Sequence, residues 1–111
     1  MDTELLKGTL SLLILSLLSR KPMYGYEIAA TVHRETDGTF TWREGSLYPS
    51  LHKMQADGLI VGKWEEKETG RKRRYYHITK KGQQALKEKV QAWTELSHAV
   101  NRLLENGNGQ A

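Results

Sequence analysis

The sequence predicts a mainly α fold with a small β-hairpin, closed by one long C-terminal helix. Three observations carry that expectation. Leu47, Leu51 and Met54 recur at spacings of four and three, so they share one face of a short helix. Leu59–Glu66 and Lys72–Ile78 read as two strands flanking a turn with Gly70 at its bend. Leu86, Val90, Trp93, Ser97, Val100 and Leu104 alternate four and three apart, a coiled-coil type of seam widened by Leu96 and Leu103.

The chain's 111 residues suit one core-bearing domain that is marginal if it stands alone. Cysteine is absent, which excludes disulfides, thiolate metal sites and thiol nucleophiles. His33, His52, His77 and His98 are scattered and match no metal-ligand spacing, so no metal or other cofactor is expected. The apolar run Thr9–Leu18 has about half the ~20 residues that span a bilayer, and it starts too late for a good signal peptide. A soluble cytoplasmic protein without membrane contact is the expectation.

Charge is distributed unevenly. Between Arg43 and Lys81 ten basic residues face five acidic ones, a net of +5, whereas the remainder carries −1. A basic run by itself is often a solvated face. Here it coincides with the short helix and the hairpin, which points to a polyanion partner.

Taken in order, Asp2 or Thr3 caps a first helix whose Leu10, Leu12, Leu13, Ile14, Leu15, Leu17 and Leu18 are apolar nearly all round. Such a helix must be covered on two sides, which a second subunit would help to do. Ser19-Arg20-Lys21-Pro22 ends it. A second helix follows from about Tyr24 to Glu35, with Ile28, Ala29 and Val32 at core spacing. Gly25 near its start costs helix propensity and so marks a close approach, by a neighbouring helix or by a phosphate. Thr36-Asp37-Gly38-Thr39 is a turn leading to a short extended segment with Phe40 and Trp42.

The third helix leaves Tyr48, Pro49, His52 and Lys53 outside and stops at Gly58. Its start is ambiguous. With Ser46 as cap, Pro49 lies unstrained in the first turn; with a start near Arg43 or Glu44, Pro49 removes a bond to the Gly45 carbonyl. The hairpin carries four consecutive cations, Arg71-Lys72-Arg73-Arg74, whose repulsion is easiest to explain if phosphates neutralise them. Thr79 caps the last helix, which is expected to run to about Glu105 and to reach a partner's first helix. Residues 106–111, Asn-Gly-Asn-Gly-Gln-Ala, have nothing to bury and are expected to be a disordered tail. The organisation is thus residues 1–78 as a DNA-reading unit, 79–105 as a dimerisation helix and 106–111 as tail.

Five segments in this order resemble the PadR family of transcriptional regulators, in its small subfamily. They are Leu6-Lys7-Gly8-Thr9-Leu10, Tyr24-Gly25-Tyr26-Glu27-Ile28, Gly45-Ser46-Leu47-Tyr48-Pro49-Ser50-Leu51, Asp57-Gly58-Leu59-Ile60 and Arg73-Arg74-Tyr75-Tyr76-His77-Ile78-Thr79. Ser46 departs from the commoner threonine, and the larger C-terminal domain of longer members is absent. The resemblance implies a winged helix-turn-helix and a homodimeric bacterial repressor on a palindromic operator in double-stranded DNA, released by a small aromatic compound. It assigns DNA contacts to Tyr24, Ser46, Tyr48, Pro49, His52 and Lys53, and to Arg71, Lys72, Arg73 and Arg74 of the wing. The expected dimer interface comprises Leu6, Leu10, Leu13, Leu86, Val90, Trp93, Leu96, Val100 and Leu104, with Trp93 as a stacking platform for a flat ligand.

Two other classes fit the sequence less well. A winged-helix module for protein interaction without DNA needs no basic wing, so Arg71–Arg74 argue against it. For an enzyme, Ser46, His52 and Asp57 suggest a triad, but Ser46 and His52 fall about 600° and ~9 Å apart along one helix and cannot hydrogen-bond. No catalytic residue is expected.

Overall fold

The computed structural model describes residues 3–109 apart from Thr69, with the side chains of residues 3–8, Glu44 and 108–109 outside the description. The order is α1 (Thr3–Leu18), β1 (Met23–Tyr24), α2 (Gly25–Glu35), α3 (Glu44–Ala56), β2 (Ile60–Glu66), β3 (Lys72–Ile78) and α4 (Lys80–Gly109). The mainly α fold with a small hairpin, winged and trailing a long C-terminal helix, is as expected. Among the described residues no helix is long and apolar enough to cross a membrane.

The core is assembled where α1, α2, α3 and the sheet meet. Leu10, Ile14, Leu15, Leu17 and Leu18 of α1 pack with Ile28 and Val32 of α2, Leu47, Leu51 and Met54 of α3, and Ile60 and Tyr76 of the sheet. The all-round apolar character of α1 has its explanation here, because α1 touches α2, α3, β3 and α4 of its own chain. Leu10 is therefore already buried without a partner, and Leu13 is half-buried against the same core. The Leu6 side chain, also expected at the dimer interface, lies outside the described residues, as do the side chains expected to cap α1.

The helix ends follow the local signals. Leu59 N–H donates to the Met54 carbonyl at 2.9 Å and Gly58 N–H to that of Gln55 at 2.9 Å, with Gly58 at φ +78°. That reciprocal pair closes α3 and turns the chain straight into β2. At the start of α4, the Thr79 hydroxyl accepts from Gly82 N–H at 3.0 Å and lies 2.7 Å from the Gly58 carbonyl. One side chain thus caps a helix and ties it to the α3–β2 corner.

Two features differ from the sequence expectation, and a third settles a point it left open. First, α2 begins where expected, with Tyr24 as its N-cap, but residues 23–24 also form an unexpected strand, so the sheet has three strands in the order β1-β3-β2. Met23 pairs with Tyr76 and Tyr24 with Tyr75. A two-residue strand gains its bonds only from the distant β3 and leaves no periodic trace. Second, of the two starts left open for α3 the earlier one, at Glu44, is realised, so Pro49 stands inside the helix. Leu47 N–H bonds the Arg43 carbonyl at 3.0 Å, so the helix is nucleated before the proline and tolerates the one bond it removes. Third, α4 continues to Gly109, past the expected end at Glu105, and residues 106–109 are helical and not a disordered tail. These residues extend a helix already formed, so each adds a backbone bond without a new nucleation cost. Residues 110–111 lie outside the description.

Candidate nucleic-acid interface

Strand alternation decides what each hairpin residue can do. The β2–β3 register pairs Gly62 with Tyr76 and Trp64 with Arg74, so these four share the face turned toward α3. Lys63, Glu65, Arg73, Tyr75 and His77 share the other. Between the hairpin and α3 lies an open cleft of about 630 Å³, lined by aromatic groups including Tyr48, Trp64 and Tyr76 and by Arg71–Arg74.

On α3, Ser46, Pro49, His52 and Lys53 are exposed, whereas Tyr48 is half-buried. The Tyr48 ring packs on Gly25, where an added Cβ would meet the phenol oxygen at 2.5 Å. Of the two readings for Gly25, close approach by a neighbouring helix is the one realised. Lys53 forms an exposed pair with Asp57 at 3.3 Å on the next turn. Such pairs contribute only about 0.3–0.5 kcal/mol, so the ammonium is easily drawn to another anion.

The four wing cations are not equivalent. Arg71 and Lys72 are exposed near the tip, next to Gly70 in its left-handed turn (φ +73°). Arg73 lies over the Tyr24 ring with its guanidinium carbon 4.3 Å from the centroid. Tyr24 in turn meets Tyr75 edge-to-face at 5.5 Å, so Tyr24 serves the outer face of the sheet as a half-buried support. Arg74 turns inward: its Nη2 donates to Gln55 Oε1 at 3.1 Å. Burial raises the Tyr76 phenol pKa, partly opposed by nearby Arg74. Across the outer face, Glu65 bonds His77 at 2.5 Å and Lys67 at 3.0 Å. Lys67 first and His77 second hold the Glu65 carboxyl below the ordinary carboxylate range.

Sequence reasoning missed Trp64 and Tyr26, which border the cleft with relative exposures of 67% and 74%. Trp64 had a usable signal: alternation in β2 puts it on the same face as Gly62, two residues away. Tyr26 had none, because nothing local tells which edge of α2 faces the hairpin.

The C-terminal helix presents a second surface. Leu86 is half-buried against the core, but Val90, Trp93, Leu96, Val100, Leu103 and Leu104 are all exposed. A small hollow of about 200 Å³ between α1 and α4 is lined by Thr9, Leu12, Lys89, Ala92, Trp93 and Leu96.

A short helix with an exposed edge beside a cationic hairpin, built on a three-helix core, is the architecture of a winged helix-turn-helix. Residues 14–88 match the model of the transcriptional regulator PadR-like family. The chain belongs to that family, whose members are regulators of transcription and not enzymes. A PadR-like transcriptional regulator from Bacillus cereus is similar at 40% identity over 92% of this chain and 97% of that one, with a TM-score of 0.83. A PadR family regulator from Clostridium difficile is 35% identical over 86% of this chain and 98% of that one, with a TM-score of 0.75. Transcriptional regulator YqjI of Escherichia coli is 37% identical over 73% of this chain, which spans only 37% of that protein's length.

Proposed function

We propose that two copies of this chain bind a palindromic site in double-stranded DNA and repress transcription from it. The observation that carries this reading is the pairing of an exposed α3 edge with an exposed cationic tip across one open cleft. Arg71, Lys72 and Lys53 supply phosphate attraction, which positions the protein without reading sequence. Arg73 adds to that field from the outer face. Ser46 and His52 offer hydrogen-bonding groups to base edges, Pro49 an apolar contact for a thymine methyl, and Tyr48 its partly exposed rim. None of these makes the bidentate contact of an arginine or asparagine, so half-site spacing and DNA shape carry much of the specificity.

The uncovered ridge of α4 supports the dimer. Six large apolar side chains in a row on one helix favour a second copy as cover. A two-fold pair would set the reading helices about one duplex turn, ~34 Å, apart. The hollow beside Trp93 is too small alone for a typical ligand of the ~300 Å³ class and upward. Doubled across a dimer axis it suits a flat aromatic effector stacking on Trp93, which would release DNA by favouring one arrangement of the two α4 helices.

The test is a mobility shift and footprint on the DNA upstream of the protein's own gene, repeated across salt concentrations and with flat aromatic compounds. A protected palindrome with steep salt dependence is expected. A well-folded protein indifferent to that DNA, but captured by a protein partner, would favour the interaction-module reading instead.

A further inference from the structure

Arg74 is set differently from its three neighbours, half-buried and with its Nε turned away from solvent. On the cleft face it lies across Gly62, and a Cβ on Gly62 would collide with its Nε and Cζ. Its Nε is buried and has no hydrogen-bond partner among the described residues. A phosphate-binding arginine presents its donor edge outward; here one donor is sealed inside. What the side chain does hold is Gln55. The Gln55 Oε1 accepts from Arg74 Nη2 at 3.1 Å and from the Gly62 amide at 3.0 Å. Gln55 belongs to α3, Gly62 to β2 and Arg74 to β3. One amide oxygen therefore joins the reading helix to both strands of the wing. Because β2 is an edge of the sheet, the Gly62 amide turns outward, and Gln55 is what satisfies it.

We propose that Arg74 is a positioning residue, which through Gln55 sets the separation and tilt of the wing against the reading helix, and that it makes no phosphate contact. The inference rests on the DNA-binding reading above for its consequence, though not for the strut itself. A wing free to pivot would spread Arg71 and Lys72 over many positions, and binding groups must be held within about 0.5 Å to act together. The glycine at 62 is the complementary half of the device, since any side chain there would expel the guanidinium.

Two measurements test it on the full-length protein. In the DNA-free protein, exchange of the Gly62 amide is followed by NMR in wild type, Arg74→Gln, Gln55→Leu and Gln55→Glu. Exchange about tenfold faster in Gln55→Leu and Arg74→Gln is expected, while Gln55→Glu, which keeps the acceptor, stays near wild type. Unchanged exchange in both disruptive variants overturns the strut. Binding to the upstream DNA is then titrated against salt. For Arg74→Gln the affinity should fall with the slope of log K against log salt unchanged, whereas Arg71→Ala should lower that slope by about one. A slope loss in Arg74→Gln equal to that of Arg71→Ala makes Arg74 a phosphate contact and overturns the assignment. If wild type binds no DNA at any salt, the functional reading falls, and the strut is judged by the exchange result alone. Should Arg74→Gln fail to fold, the Gln55 pair carries the test.

Discussion

The hydroxyl end of the Tyr48 ring of α3 comes so close to Gly25 of α2 that it would stand 2.5 Å from a methyl group placed there. Helix α3 is thereby seated on the N-terminus of its neighbour through an aromatic ring that still borders the cleft. Gly25→Ala should overpack this contact and lower stability by about 1–3 kcal/mol. In a Tyr48→Ala background the same change should be nearly neutral. Urea unfolding of the double-mutant cycle measures the coupling, and additive effects would mean that the two do not meet.

Arg71 and Lys72 stand exposed beside the hairpin turn. Arg71→Ala should weaken binding on every DNA sequence and reduce the salt slope by about one unit. Pro49→Ala, by contrast, should leave the slope alone and narrow the gap between the operator and random DNA. Fluorescence anisotropy across a salt series separates the two behaviours.

Thr79 holds the start of α4 and the corner after α3 with a single hydroxyl. Thr79→Ala should cost about 1 kcal/mol of stability as a lost cap, and Thr79→Ser should restore most of it. Gly82→Ala should be worse, because its Cβ would run into the Leu59 backbone carbonyl, which has no freedom to move aside. Thermal unfolding of the three variants ranks them.

Lys67 and His77 hold the Glu65 carboxyl below its ordinary value of 4.5. A carboxylate depressed in the folded state stabilises the fold above the unfolded value and loses that contribution as pH falls through the folded one. Wild type should therefore exceed Glu65→Gln in stability above about pH 4.5, and the two should converge as the solution is acidified below it. Denaturant midpoints between pH 3 and 7 check the direction.

The apolar ridge of α4 is exposed at Val100 (46%) and Leu103 (75%). Val100→Glu should shift a dimer to monomer in sedimentation without unfolding the core, since its side chain supports nothing in its own chain's interior. Trp42 is buried but Trp64 is exposed on the wing, so in a Trp64→Phe background the further change Trp93→Phe should remove quenching by flat aromatic compounds if α4 carries the ligand platform.

Much of this molecule was legible one residue at a time. The spacing of Leu47, Leu51 and Met54, the stop at Gly58, the hairpin turn at Gly70 and the cap at Thr79 all rest on interactions within a few residues, and each appears where its local chemistry requires. The cationic run at 71–74 was equally plain, and with it the polyanion partner. What local chemistry could not decide is everything that depends on a distant atom. The strand at Met23–Tyr24 exists because β3 is there to bond it. The early start of α3 places Pro49 inside the helix. Four consecutive cations looked alike as letters, and only the pleat of the sheet sent Arg73 onto Tyr24 and Arg74 onto Gln55. The sequence by itself determined the four helices, the hairpin and the positive charge of the segment that holds it, because helix and strand periods and net charge are short-range properties. The tertiary structure alone decided which cations face outward, because a side chain's direction in a sheet is set by register, and register is a contact between segments far apart in the chain.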